Sequence, residues 1–296
     1  MEHRYPGKEP VNQEQEQINR QETLAKLGDN FSICWDAWQQ NPNLTSLPSA
    51  LLNKDGKTFN EKSFFESAAK LSNSSHLKYL EYLQRTIQEE MDDLSAKQEK
   101  QPNITETERN QEMSELANAF ITKLEFFSRL SSPEQITGGG KTAAELETEL
   151  GQANINISDY AQEMLHNKKE FKTSKEPEQV DLVRLKVKDL FNNDIQVYTV
   201  ADIYQKAKEL GLELCQAEVG PAYRLAYQLE GSLKKEQPID EWVRVAMKQI
   251  VDGDGDPRVF EVGRGHRGLW LDGYWPGLED RWTPESEVVF RLASSK

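Results

Sequence analysis

The stretch of residues 252–292 constrains the fold most, because apolar and polar residues alternate there in short runs. Asp-Gly repeats precede these runs, and glycines and prolines separate them. Alternation with a period of two, bounded by turn-forming residues, predicts short antiparallel strands joined by tight turns. The pattern predicts a folded β-rich module, but it does not indicate a catalytic or binding activity. The alternating apolar positions are Phe260, Val262, Leu269, Leu271, Val288, Phe290 and Leu292.

Length and charge limit the organisation of the chain. A length of 296 residues favours two domains. The net charge is −14, with 20 basic and 30 acidic residues in 1–179 and 16 basic and 20 acidic residues in 180–296. Because nucleic-acid binding needs a cationic surface, this balance argues against a nucleic-acid partner.

The cysteines and the apolar content indicate the compartment. Cys34 and Cys215 lie far apart without a CxxC motif, which is compatible with a reducing environment. Residues 1–20 are polar and lack the apolar core of a signal peptide, and no run approaches the length needed to span a bilayer. We therefore predict a cytoplasmic protein that binds no membrane, with signal-less export left open. No cofactor is predicted.

The N-terminal part is predicted to be helical. Residues 1–20 read as a disordered tail and residues 21–132 as an acidic helical domain. Two apolar stripes at helical spacing, separated by a Thr105/Glu108 capping box, predict an α-hairpin. We favour a bundle in which the stripes face each other; an arm that binds a partner helix is the alternative. The stripes are Leu80, Leu83, Ile87, Met91 and Leu94, then Met113, Leu116, Phe120, Leu124 and Phe127.

Residues 133–179 are predicted to be a linker with short helices. Their GGGKT sequence, residues 138–142, resembles the end of a phosphate-binding loop, but Gln135 stands where the first glycine should be. A flexible connector that enters a capped helix is the favoured interpretation. From residue 180 onwards a strand, a helix and a meander predict an α+β module with an antiparallel sheet over 180–296.

One candidate site lies in the hairpin loops of this module. Arg264, His266 and Arg267 stand among glycines at a predicted hairpin tip, which could bind an anion, although a solvated turn is the favoured interpretation. Tyr274 and Trp275 lie in a loop that could face a ligand. Trp242 and Trp270, by contrast, are expected to belong to the core.

A second candidate site is enzymatic. Cys215, Glu218, Arg224 and His266 could supply a nucleophile, a base and an orienting group if the chain bends at residues 220–221. A buried, inert thiol beside a structural ion pair between Glu218 and Arg224 is the favoured alternative.

Asp252, Asp254 and Asp256 resemble part of a calcium loop, since alternating carboxylates can converge on a cation. The flanking residues are predicted strands, and Pro257 and Gly263 occupy positions where an EF-hand needs glycine and glutamate. We therefore favour a turn over this calcium site and predict no metal.

Residues 181–292 carry a set of short motifs. They comprise Ile203, Tyr204, 207–212, Cys215, 217–221, Arg224, Leu225, Glu241, Trp242, Ala246, Met247, Val259, Phe260, 268–271, Trp282 and 289–292. Together these motifs resemble a small uncharacterised domain recurring in bacterial proteins. The resemblance implies a bacterial-type domain and no particular activity, and the N-terminal region resembles no such family.

The leading functional hypothesis is a non-enzymatic binding or adaptor protein. Its C-terminal module would recognise a protein, peptide or glycan through the hairpin loops. A hydrolase or transferase of toxin-effector type is one alternative, and an acidic decoy or inhibitor of a nucleic-acid-binding protein is another. The oligomeric state is left open.

Overall fold

The computed structural model describes residues 13–100, 103–191, 196–277 and 280–293. It divides into two compact units, Met1–Ser128 and Arg129–Lys296. Helices build the first unit, and the second contains a curled mixed sheet with helices against it. The predicted α+β class is confirmed. Within the described ranges, no helix is both long enough and apolar enough to cross a membrane.

The described residues of the first unit form five α-helices, and local sequence signals explain several of their ends. Gly28 separates the first two with a φ of 96°, a conformation that favours glycine. The Asn60 side chain accepts a hydrogen bond from the Ser63 amide, and Thr105 and Glu108 form the predicted capping box. The helices are α1 (Gln13–Leu27), α2 (Asp29–Gln40), α3 (Glu61–Leu71), α4 (Leu77–Lys100) and α5 (Glu106–Arg129), with short 3₁₀ turns at Ser49–Leu51 and Ser74–His76.

An aromatic core joins these helices. The Phe31 ring stacks on Phe120 with centroids 4.5 Å apart, and Trp35 stacks on Phe64 at 4.9 Å. The buried Trp38 indole donates to the Asn118 side chain at 3.1 Å. The α4 and α5 stripes are buried in part: Leu83, Ile87 and Phe120 are enclosed by the helical assembly, whereas Leu94 and Leu116 are half-buried.

The second unit combines five helices with eleven strands among its described residues. Its main sheet has the order β1-β3-β11-β6-β8-β9-β2, and β4 pairs separately with β10. Most pairs are antiparallel; β11–β6 and β2–β9 are parallel. The elements are β1 (Glu134–Gly138), α6 (Ala143–Gln152), β2 (Asn156–Ile157), α7 (Asp159–His166), β3 (Glu178–Lys186), α8 (Val187–Phe191), β4 (Tyr198–Thr199), α9 (Val200–Glu209), β5 (Leu212–Glu213), α10 (Val219–Ala226), β6 (Trp242–Val245), β7 (Ile250–Val251), β8 (Pro257–Gly265), β9 (Gly268–Tyr274), β10 (Arg281–Trp282) and β11 (Glu287–Leu292).

The structure differs from the predicted linker at residues 133–179. β1 pairs with β3 from Glu134 to Gly138, and α6 and α7 contribute buried side chains such as Leu150 and Met164 to the core of the second unit. The segment belongs to the folded unit because its apolar positions fill one face of the sheet. Of the tail expected to be disordered, residues 1–12 lie outside the described residues, and residues 13–20 belong to α1.

The chain around residue 220 is helical. Residues 224–227 end α10 and form its cap. Pro221 does not interrupt this helix because it lies in the first turn, where its missing N–H is not needed. Further along the chain, β6 ends at Val245 and β7 begins at Ile250.

The two faces of the main sheet have different surroundings. α10 packs so closely on one face that a Cβ added to Gly220 would lie 2.5 Å from the Phe260 ring. On the other face, α9 and β10 approach Phe290, with the Tyr204 ring in edge contact with both Phe290 and Trp282. β6, β8 and β9 carry half-buried side chains on this second face.

Candidate functional site

Two rows of side chains cross the second face at β6, β8 and β9. Strand register places Trp242, Gly263 and Trp270 directly opposite one another, and it does the same for the row of Arg244, Glu261 and Asp272. Directly paired residues project from the same side of a sheet, and positions two apart keep that side. We call the surface formed by Trp242, Arg244, Glu261, Gly263, Trp270, Asp272 and Tyr274 the β6–β8–β9 face.

Gly263 in β8 makes room for one indole ring, and Gly265 lies in ordinary van der Waals contact with a second. A Cβ on Gly263 would lie 2.1 Å from Cε3 of Trp242, so the Trp242 ring rests directly on the backbone of β8. A Cβ on Gly265 would lie 3.9 Å from Nε1 of Trp270. Both tryptophans are half-buried rather than enclosed. The expectation that they belong to the core is therefore only partly met, because each ring lies on the sheet and keeps a part of its surface exposed.

In the charged row, the carboxyl group of Glu261 is buried, which disfavours its ionised form. Glu261 has 7% of its surface exposed, and burial raises its pKa to about 7. Arg244 opposes this rise and Asp272 adds to it. The Arg244 Nε lies 3.4 Å from Glu261 Oε1, but neither atom has a hydrogen-bond partner among the residues that the structure describes.

Arg244 also organises the aromatic residues beside it. Its guanidinium lies 4.2 Å from the centre of the Tyr274 ring and 5.1 Å from that of Trp282. Trp282 is 2% exposed, and Tyr274 meets it edge-on at 6.1 Å. These contacts hold the Tyr274 ring between Arg244 and Trp282.

The residues predicted in the hairpin loops fall into two groups. Arg264 is held by Glu236 and by the carbonyl of Gln237, both at 2.7 Å, whereas His266 and Arg267 are exposed at the tip between β8 and β9. Tyr274 and the 47%-exposed Trp275 lie at the other end of β9. Six residue steps along a strand span roughly 20 Å. The five candidates therefore do not form one cluster.

Glu218 and Arg224 have separate partners instead of the expected ion pair. The Glu218 carboxylate accepts from the Ser174 amide at 2.9 Å. Arg224 is fully buried and donates to the carbonyl of Gly263 at 3.2 Å and to the side chain of Gln237. Both side chains secure the backbone around α10.

Cys215 and His266 are not brought together with this pair. Cys215 is 4% exposed, its Sγ faces the carbonyl of Val289 at 3.8 Å, and burial raises the pKa of its thiol to about 12. A thiol in this setting stays protonated and is a poor nucleophile. His266 lies at the exposed hairpin tip. The geometry does not assemble the enzymatic candidate site.

The Asp252 carboxylate closes a turn. It accepts hydrogen bonds from the amides of Asp254 and Asp256 and pairs with Arg258 Nε at 2.8 Å. These contacts lower the Asp252 pKa, with Arg258 as the largest cause. Across the described parts of the chain, no group of three or more acidic, histidine or cysteine residues could hold a metal ion. The arrangement matches the favoured turn interpretation.

The GGGKT segment begins at the last residue of a strand, since β1 ends at Gly138. The amide and hydroxyl of Thr142 donate to Glu145, so a carboxylate already caps α6. Lys141 pairs with Glu149 at 2.6 Å. The groups that would bind a phosphate are therefore occupied within the chain.

A polar cluster on the first face of the sheet has a structural role. Glu134 accepts from Tyr223 at 2.8 Å and from Lys235 at 2.6 Å, and Arg184 pairs with Glu241 at 2.6 Å. Burial raises the pKa of Tyr223 well above its usual value. These bonds connect the segment after α10 to β1 and β3.

Sequence reasoning did not single out Trp242, Glu261, Trp270 and Asp272 as a site. The signal was present in the spacing, because aromatic and charged residues alternate at 242 and 244 and at 270, 272 and 274. This alternation places them on one face of their strands. Which strands lie side by side follows only from the fold.

Comparison with known proteins finds no match: no family model, curated protein or solved structure is significantly similar to this chain. The resemblance to a recurring bacterial domain stays a prediction.

Proposed function

We propose that the second unit is a non-enzymatic carbohydrate-binding module that uses the β6–β8–β9 face. The observation that carries this proposal is the pair of half-buried indoles, Trp242 and Trp270, which lie against Gly263 and Gly265 of β8 beside a charged row. The proposal narrows the expected protein, peptide or glycan ligand to a glycan and moves its contact surface from the loops to the sheet.

The chemistry of the face suits a sugar ring. The outer surface of a flat indole offers a negative quadrupole to the weakly positive C–H groups on one side of a pyranose. The half-buried Asp272 can accept hydrogen bonds from hydroxyl groups at the edge of the ring. Rigid aromatic surfaces with a few oriented polar groups are typical of small-ligand sites.

The carboxylates disfavour other functions. Phosphate groups of a nucleic acid would be repelled by Asp272 and by the overall charge of −14. Hydrolysis of a glycosidic bond needs two carboxyl groups in contact with the sugar, whereas Glu261 is almost fully buried. These two arguments support binding without catalysis.

The test is a screen of the full-length chain against immobilised neutral and acidic glycans, followed by titration of the best ligand. We expect Trp242→Ala and Trp270→Ala each to weaken binding by about tenfold, which corresponds to about 1.4 kcal/mol of lost stacking. Trp275→Ala is the matched control, since Trp275 lies outside the face and should leave affinity unchanged.

The proposal fails if no glycan binds above background. It also fails if Trp275→Ala removes glycan binding while Trp242→Ala and Trp270→Ala retain it. That result would place the binding site in the loop after β9. Capture of an extended peptide that depends on Trp242 would replace the glycan with a peptide ligand.

A further inference from the structure

A groove runs along the α-hairpin of the first unit, independent of the sheet site. It has a volume of 370 Å³ between α4 and α5. Its floor is apolar, with Leu83, Ile87 and Phe120 buried and Leu94 and Leu116 half-buried along its length. We call this surface the α4–α5 groove.

The groove lies beside the contacts that α2 makes with the hairpin. Phe31 of α2 stacks on the floor residue Phe120, and next to the groove Asn30 donates to Gln88 and Trp38 donates to Asn118. The two hairpin helices each have 24 residues, about 36 Å, whereas α2 has 12 residues, about 18 Å. Within the first unit, the short helices therefore leave part of the apolar stripes without cover.

The rim of the groove is acidic. Glu90, Glu112 and Glu115 line it, against one cation, Lys123. Lys97 pairs with one oxygen of Glu112, but the other oxygen, Oε2, is buried and has no hydrogen-bond partner within the described ranges. A buried carboxylate oxygen without a hydrogen-bond donor raises the free energy of the folded protein. A cationic partner that donates to this rim would therefore lower that free energy.

We propose that the α4–α5 groove binds an amphipathic helix of a partner protein, with lysine or arginine residues flanking its apolar stripe. From Leu83 to Leu94 the groove is about 16 Å long, which accommodates about three helical turns. Apolar residues at positions i, i+3, i+4 and i+7 of the partner would fill the floor. Its basic residues would meet Glu90, Glu112 and Glu115.

The experiment uses the full-length chain and two fluorescein-labelled peptides of 18 residues. Both carry leucine at helical spacing; one has lysine at every flanking position and the other has glutamate. We expect the lysine peptide to bind saturably and the glutamate peptide to bind at least tenfold more weakly. Raising the salt concentration should reduce this difference.

Two sets of variants locate the binding surface. Ala119→Trp or Thr86→Trp should fill the groove and weaken lysine-peptide binding at least tenfold, with circular dichroism showing that helicity is retained. The double variant Glu90→Lys/Glu115→Lys should do the same. Glu81→Lys/Glu89→Lys is the matched control, because it makes the same charge change on α4 outside the groove.

Equal binding of the two peptides would overturn the proposal, and so would unchanged binding after both groove-filling substitutions. Self-association of the chain that Ala119→Trp abolishes would also overturn it, because the occupant would then be a second copy. None of these results bears on glycan binding, so the two proposals fail separately.

Discussion

At the scale of single residues, the β6–β8–β9 face depends on a few side chains whose positions are set by their neighbours. Gly263 admits the Trp242 ring, and Arg244 holds Tyr274 against Trp282. Glu261 lies beneath them with a raised pKa. The burial of Glu261 leaves its Oε1 atom without a hydrogen-bond partner among the described residues. The raised pKa of this carboxyl group can be measured through the pH dependence of protein stability.

Glu261 should make stability depend on pH near neutrality. Its pKa is about 7 in the folded protein against a usual 4.5, so between these values the folded protein binds more protons than the unfolded chain. The free energy of unfolding therefore falls as pH rises through this window. Relative to Glu261→Gln, the wild type should lose about 3 kcal/mol between pH 4 and pH 8.

Urea unfolding of the wild type and of Glu261→Gln at pH 4, 6 and 8 measures this difference. A difference that does not change with pH would show that Glu261 is ionised in both states and that its environment is wetter than described.

At the scale of elements, helix caps could be predicted from the sequence, whereas the pairing of strands could not. The caps at Asn60, Thr105, Thr142, Ser158 and Thr199 were predictable because each side chain bonds to an amide three residues away. β1 was missed because it is five residues long and partly polar. Its pairing partner, β3, lies about forty residues further along the chain.

The candidate site shows the same limit. The tryptophans and carboxyl groups were visible, but neither the rows that bring them together nor the glycines beneath the rings could be inferred without strand register. α10 shows how context decides an element, since Gly220 and Pro221 were read as a break. They form its first turn because Gly220 lets the helix approach Phe260.

Substitution of Gly220 tests the packing of α10 on β8. Gly220→Ala places a methyl group 2.5 Å from Phe260 Cδ2, so we expect a loss of about 1–3 kcal/mol in the free energy of unfolding. Gly151→Ala is the control, because a Cβ there meets nothing within 4 Å. It should be neutral or stabilise by up to about 1 kcal/mol. Equal effects of the two substitutions would contradict the close approach.

At the scale of the whole molecule, the boundary between the two units lies near residue 129 and not within 133–179. The misplacement has a physical cause: residues 131–179 are rich in polar and small residues, but their few apolar side chains are buried. Ile136, Leu150 and Met164 each have at most 1% of their surface exposed. The composition of these residues is similar to that of a linker, because an edge strand or a surface helix needs only one apolar stripe.

Truncation tests this boundary. A fragment of residues 129–296 should unfold cooperatively on heating, whereas residues 180–296 should not, because they lack β1, α6 and α7 and leave α10 as the remaining cover of the first face of the sheet. Circular dichroism melting curves distinguish the two. A sharp transition for residues 180–296 would support the shorter module.

Glycan binding through the sheet face is the central claim, and the indole N–H signals of the full-length chain test it most directly. Each tryptophan gives one such signal, which single substitutions assign. On titration with the tightest oligosaccharide from the screen, we predict shifts for Trp242 and Trp270 and none for the buried Trp35, Trp38 and Trp282. Shifts confined to Trp275, or no shifts with any glycan, would contradict the claim.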